Sequence, residues 1–231
     1  RYAKQVFSGY IHKEKAGTIA QPWANDASLT NPARDIIQAK SLLQQAGWED
    51  KDNSGKVKNA KGETLDLSVI VPNDERGDLI GLLQSTVADL AEVGVSLTVR
   101  QMKPDVFADA WINTHDFDLI AYAYPLYPGF TDFDLYGSGW DIRIDSQGWN
   151  PGGYKNDAVD KTIKALLAET SVDDLRASLT QLQQQTNDDL FGLWFGFPRD
   201  LVLAREEVLG YRPNKQCQVW DLRLLWKQAS S

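Results

Sequence analysis

Leu65-Asp66-Leu67-Ser68-Val69-Ile70-Val71 alternates apolar with polar residues and is rich in β-formers, so it reads as a strand, ended by Pro72-Asn73-Asp74. Behind it Leu79, Leu82, Leu83, Val87, Leu90 and Ala91 recur at helical spacing up to Gly94. Val95, Leu97 and Val99 then alternate with Ser96, Thr98 and Arg100 as a second strand. Strand, helix, strand implies a parallel pair joined by a right-handed crossover.

Working upstream, residues 50–62 are polar and turn-rich and read as an exposed hairpin or loop. Asn31-Pro32 offers an N-cap and a first-turn proline. The helix after it carries Ile36, Ala39, Leu43 and Ala46 on one face, with Ile37 and Leu42 beside them, and Gly47 as its terminator. The stretch from Ile11 to Thr30, with Pro22 and Trp23, reads as an extended connector.

Downstream, a short helix at 106–112 leads to a third strand, Asp118–Tyr122. An irregular aromatic region follows. Asp157–Glu169 is expected to be helical, with Val159, Ile163, Leu166 and Leu167 inward. Ser171-Val172-Asp173-Asp174 has capping-box spacing and opens a helix with Leu175, Leu179, Leu182 and Leu190 inward. Leu193–Phe197 reads as a buried strand ended by Pro198, with a further strand at Leu201–Ala204. The expected fold class is α/β, with a mixed central sheet of Leu65–Val71, Val95–Arg100, Asp118–Tyr122 and Leu193–Phe197 flanked by helices.

Composition narrows the function. The chain has 231 residues, 42% of them hydrophobic and 24% charged, enough for a substantial core. Lys and Arg number 24 against 32 Asp and Glu, a net charge of -8 that repels nucleic acid. A lone cysteine, Cys217, makes no internal disulfide. The apolar runs fall well short of the ~20 residues of a membrane helix. The first residues, Arg1-Tyr2-Ala3-Lys4-Gln5, show no signal peptide, so a mature product or internal fragment is expected.

Catalytic patterns are sparse. Neither nucleotide-binding glycine motif is present, and the two histidines, His12 and His115, form no metal pair. His115 reads as a surface loop residue. Gly137-Ser138-Gly139 is a flexible turn and no nucleophile elbow. Asp132, Asp134 and Asp141 stand among aromatics, as a glycoside hydrolase would need, or are simply solvated and capping acids. Asp50-Lys51-Asp52-Asn53-Ser54-Gly55 resembles the opening of a calcium loop, but Lys61 stands where its glutamate would be. A polar hairpin is the simpler reading, and calcium binding there is left open. No catalytic residue, metal site or cofactor is assigned.

The densest local signal is aromatic. Tyr122, Tyr124, Tyr127, Phe130, Phe133, Tyr136, Trp140, Trp149 and Tyr154 lie within 33 residues, nine of the chain's 24 aromatics. Pro125, Pro128, Pro151 and five glycines between Gly129 and Gly152 mark the same region as loop. Rings on a loop after the carboxyl end of a strand line a binding crevice in many α/β proteins, or else pin the loop to the core. The expected ligand contacts are Tyr122, Tyr124, Tyr127 and Phe130, then Trp140 and Trp149, with Trp23 approaching from the connector.

Several segments, in order, resemble one family. Asn31-Pro32-Ala33-Arg34 through Leu42-Leu43-Gln44-Gln45-Ala46-Gly47-Trp48 is similar to the "DP-x-KAK-x-LL-x-EAG-[YW]" segment of family-5 bacterial extracellular solute-binding proteins. The 52–62 hairpin, Val71-Pro72-Asn73, Leu90-Ala91-Glu92-Val93-Gly94-Val95, Phe117-Asp118-Leu119 and Asn150-Pro151-Gly152-Gly153-Tyr154 follow in the family's order. The resemblance implies a periplasmic-binding-protein-like (type II) lobe of an ABC importer's solute-binding component, with no enzymatic activity. It implies capture of a peptide-like or other small organic solute by closure against an N-terminal lobe missing here, and an ABC permease in the membrane as partner. It implies an extracytoplasmic place, in the periplasm or as a cell-surface lipoprotein. The matching division is a connector at 1–30, the solute-binding lobe at 31–198 and a return segment at 199–231. Peptide binders of the family carry an acid just after the "YD" strand, for the peptide's ammonium. Here Ala121-Tyr122-Ala123-Tyr124-Pro125-Leu126-Tyr127 has none, which suits stacking on sugars or apolar solutes. The competing classes are a glycoside hydrolase and a carbohydrate-binding module, both using the aromatic region 122–154.

Overall fold

A computed structural model describes residues 11–12, 23–26, 28–30, 32–73, 77–123, 131–144, 148–198, 203–212 and 222–228. Its elements are β1 (Ile11–His12), α1 (Ile36–Gln45), β2 (Asp66–Pro72), α2 (Gly77–Ala91), β3 (Ser96–Met102), α3 (Pro104–Asp109), β4 (Leu119–Ile120), α4 (Asp157–Leu166), α5 (Val172–Asp188), β5 (Phe197–Pro198), β6 (Val208–Leu209) and β7 (Trp226–Lys227). The chain divides into two compact units, Arg1–Phe197 and Pro198–Ser231.

The expected parallel pair is present: β2 runs beside β3 in register from Asp66↔Ser96 to Pro72↔Met102. On its other edge β2 pairs in parallel with β4, Val69↔Leu119 and Ile70↔Ile120. The sheet order is therefore β3-β2-β4. Alternation along β2 sends neighbouring residues to opposite faces. Val69 and Val71 pack with Leu83, Leu97 and the apolar stripe of α2. Ile70 faces the other way, onto Phe107, Ala110 and Trp111. Helices thus cover both faces of the sheet, the α/β layering expected from the sequence.

One expected strand behaves otherwise. Residues 191–196 have no regular structure, and β5 pairs with β1 in a separate two-stranded sheet. The mixed four-stranded sheet is corrected accordingly: the sheet around β2 has three strands, and both neighbours of β2 run parallel to it. Glycines at 192 and 196, the latter at φ +138°, interrupt the apolar run.

Helix ends follow local chemistry. The N-cap of α1 is Asp35, whose side chain accepts from Gln38 N; the expected cap, Asn31, lies outside the described residues. Gly47, at φ +86°, closes α1 with bonds from Gly47 N to Gln44 O and from Trp48 N to Leu43 O. Gly94 closes α2 in the same way. Asn156 caps α4 by accepting from Ala158 N and Val159 N, and Ser171 caps α5 by accepting from Asp174 N.

Beyond the sheet, α4 and α5 bury Val159, Ile163, Leu166, Leu179 and Leu182 against Leu135 and Tyr136. Leu167 and Leu190, expected inward, are exposed. Each follows the last regular turn of its helix, where the apolar stripe no longer faces the partner. On α1, Ile37 and Leu42 are likewise exposed, whereas Ile36, Ala39 and Leu43 pack toward Val57, Val93 and Val95.

In the second unit β6 and β7 pair antiparallel, Leu209↔Trp226. Leu203 and Ala204, half of an expected strand, lie in no regular element; Leu201 and Val202 lie outside the described residues.

Candidate functional site

Chain direction places the carboxyl ends of β2, β3 and β4 side by side. In open α/β sheets ligands bind at that edge. Tyr122 leaves it two residues after β4. On the face opposite α2, the chain runs from α3 into a π-helical turn, Ala110–Thr114, ending at His115 in the left-handed conformation, φ +52°. A π-turn widens the helix by one residue, and such turns recur at functional sites.

This turn carries Trp111 into a cluster of rings. Its centroid lies 5.0 Å from Tyr122, 6.0 Å from Phe107 and 5.6 Å from Trp149. Trp149 meets it edge-on at 74° and is 46% exposed. Trp111 Nε1 and His115 Nδ1 are buried and lack a hydrogen-bond partner. His115 as a whole is half-buried, in the irregular segment that follows the turn.

The loop that presents Trp149 is held by the next residue. Asn150 is fully buried; its Nδ2 donates to Gly137 O and Tyr154 O, and its Oδ1 accepts from Tyr154 N. Its backbone bridges Asp141 and donates to Trp140 O. Asp141, also buried, accepts from Arg143 N, Nε and Nη2. The Arg143 guanidinium holds this carboxyl below the usual range, helped slightly by His115. A glycosidase's general acid needs the opposite, a raised pKa.

The structure joins Tyr122 to Trp149 through Trp111, which the sequence reading did not single out. The available signal was its four-residue spacing from Phe107, which places both on one helical face. Trp140 goes elsewhere: it packs on Phe133, 5.4 Å between centroids, against the α4–α5 core. Trp23 lies under Arg176 of α5, whose Nε donates to Trp23 O. Tyr124, Tyr127 and Phe130, and the side chain of Asp132, lie outside the described residues.

In the 50–55 loop the carboxylates are occupied. Asp50 accepts from Ser54 N and Gly55 N, and Asp52 pairs with Lys58. Among the described residues no cluster of three metal-ligating side chains occurs, and no helix is long and apolar enough to cross a membrane. The second unit holds an open recess of about 340 Å³ lined by Leu203, Ala204, Arg205, Val208, Tyr211 and Leu225.

The parallel sheet covered on both faces by helices defines a class: an α/β protein of the periplasmic-binding-protein-like (type II) kind. The structure of the oligopeptide-binding protein AppA of Bacillus subtilis in complex with a nonapeptide matches with a TM-score of 0.81 at 16% identity, covering 99% of this chain and 45% of that one. Residues 1–141 match the family of bacterial extracellular solute-binding proteins, family 5 Middle, and the chain belongs to it. It is 29% identical to the peptidoglycan-binding protein YepA of Agrobacterium fabrum, over 71% of this chain and 25% of that protein. It is 23% identical to AppA itself, over 82% of this chain and 34% of that protein. The chain thus spans less than half the length of these relatives.

Proposed function

We propose that this chain is a lobe of the solute-binding component of an ABC importer, and that it captures a peptide-like or other small organic solute outside the cytoplasmic membrane. The carrying observation is the ring cluster of Tyr122, Trp111 and Trp149 at the carboxyl edge of the parallel sheet, in a chain of this family. Relatives named for binding peptidoglycan and oligopeptides support the solute class. The 122–154 region supplies the site, with Tyr122, Tyr124, Tyr127 and Phe130 as its expected solute contacts. A second lobe closes over the solute, and the closed form is what the membrane permease meets. The full protein stands outside the membrane, in the periplasm or anchored as a lipoprotein.

The protein binds without turnover. Of the three acids near the rings, Asp141 is held ionised by Arg143 and makes a poor general acid. Calorimetry on the protein at its full natural length, with a panel of short peptides, tests the reading. Tyr122→Ala, Tyr127→Ala and Phe130→Ala are expected to weaken binding; parent-like affinity in all three would move the site elsewhere. Hydrolysis of a peptide or glycoside, abolished by Asp132→Asn, would establish an enzyme instead.

A further inference from the structure

We propose that residues 23–26 belong to the rigid body of this lobe, fastened to α5 by Gln183, and that bending between the two lobes takes place outside them. The proposal rests on the two-lobe reading above and moves the start of the lobe from residue 31 to Trp23.

Gln183 lies on the inner face of α5 and is 3% exposed. Both ends of its amide are engaged. Nε2 donates to Leu179 O, one turn back in the helix, and to Ala24 O, at 3.0 and 2.9 Å. Oε1 accepts from Asp26 N at 3.1 Å. Donating to one carbonyl and accepting from the N–H two residues on is how a neighbouring strand grips a backbone. Here one side chain does it, from a helix 157 positions along the chain from Asp26.

The grip is reinforced on both sides. Ala24, 1% exposed, sits in the same core as Leu179 and Leu182. Nearer the surface, Arg176 Nε donates to Trp23 O with its guanidinium 5.9 Å from the Trp23 ring, and Gln184 Nε2 donates to Asp26 Oδ2.

Lifting 23–26 from α5 would leave the Gln183 amide and two backbone groups unpaired and would vacate the place of Ala24 in the core. Hinges form where residues are free to absorb changes in φ and ψ. Residues held in this way are not free to do so. Movement of the segment is passed instead to α5 and, through its packing on α4, to the lobe.

The test uses the protein at its full natural length and needs no solute. Amide hydrogen exchange, resolved to single residues by NMR, compares the Asp26 N–H with the amides of α5. In the parent the Asp26 amide is expected to exchange as slowly as the middle of α5, because it opens only when that packing opens. Gln183→Met keeps the length of the side chain and removes the clasp; Asp26 exchange should rise about tenfold or more, with α5 little changed. Small-angle scattering of the same variant should show a larger maximum dimension, as the lobes sample more orientations. Should Gln183→Met fail to fold, Arg176→Met combined with Gln184→Ala, both on the exposed side of α5, is expected to raise Asp26 exchange several-fold. Rapid exchange at Asp26 in the parent, or parent-like exchange in the folded variant, overturns the fastening. Unchanged scattering from a variant whose Asp26 amide has been freed overturns its part in lobe movement. The peptide calorimetry described above tests solute binding separately, so a failure there is distinguishable from a failure of the clasp.

Discussion

Trp149 meets Trp111 edge to face, 5.6 Å between ring centroids. That contact joins two segments distant in the chain: the π-turn beneath the sheet and the loop ahead of α4. Both are positioned by features with measurable consequences.

Asn150 is the first. Its side chain satisfies Gly137 O, Tyr154 O and Tyr154 N at 3.1, 2.8 and 3.0 Å, in a fully buried position. Asn150→Ala leaves these groups buried and unpaired. We expect a loss of about 3 kcal/mol in urea-melt stability, with Trp149 emission shifted as its loop loosens. Asn150→Asp should also destabilise, because it exchanges two N–H donors for a buried charge.

Gly94 ends α2 at φ +82°, where an added Cβ would stand 3.0 Å from both Val57 Cγ1 and Val57 N. Gly62 has the same φ of +82° but open space around it. Gly62→Ala should cost about 1 kcal/mol for the left-handed backbone alone. Gly94→Ala should cost clearly more, about 2 kcal/mol, because the Val57 backbone must also shift. Equal costs would show that the loop yields freely.

Burial, then the neighbouring Asp189 carboxylate that its hydroxyl donates to, pushes the Tyr154 phenol up to about 12 from 10.0. A folded-state pKa above the unfolded one stabilises the fold at pH values below the unfolded pKa. That contribution is lost as pH rises through the folded value, so the window is about pH 10 to 12. Absorbance titration should place the Tyr154 step late. Asp189→Asn should bring that step down part of the way, because burial remains.

Calcium should leave the melting temperature unchanged. Both Asp50 oxygens accept backbone N–H groups of the loop, and Asp52 is paired with Lys58, which holds its carboxyl below the usual range. Scanning calorimetry with calcium and then with chelator is expected to give superimposable transitions. A calcium-dependent rise would show that the ion displaces Lys58.

Much of the framework was legible locally. Alternation in 65–71 and 95–100 marks strands, and the stripe in α2 marks the crossover helix, because side-chain periodicity reports which face is covered. Gly47, Gly94 and Ser171 mark helix ends because the groups they satisfy lie within a few residues. Density of rings in 122–154 pointed to the region that contains Trp149. Tertiary structure alone decided the rest. Which rings face one another depends on how the π-turn rotates Trp111 and how Asn150 folds its loop, neither of which has a local pattern. The same holds for Trp140 and Trp23, whose neighbours on the α4–α5 unit come from distant segments. Leu193–Phe197 has strand composition, but a strand needs a partner edge, and only Phe197 finds one, in β5 paired with β1. Backbone pairing is settled between segments, so propensity within one of them could not decide it.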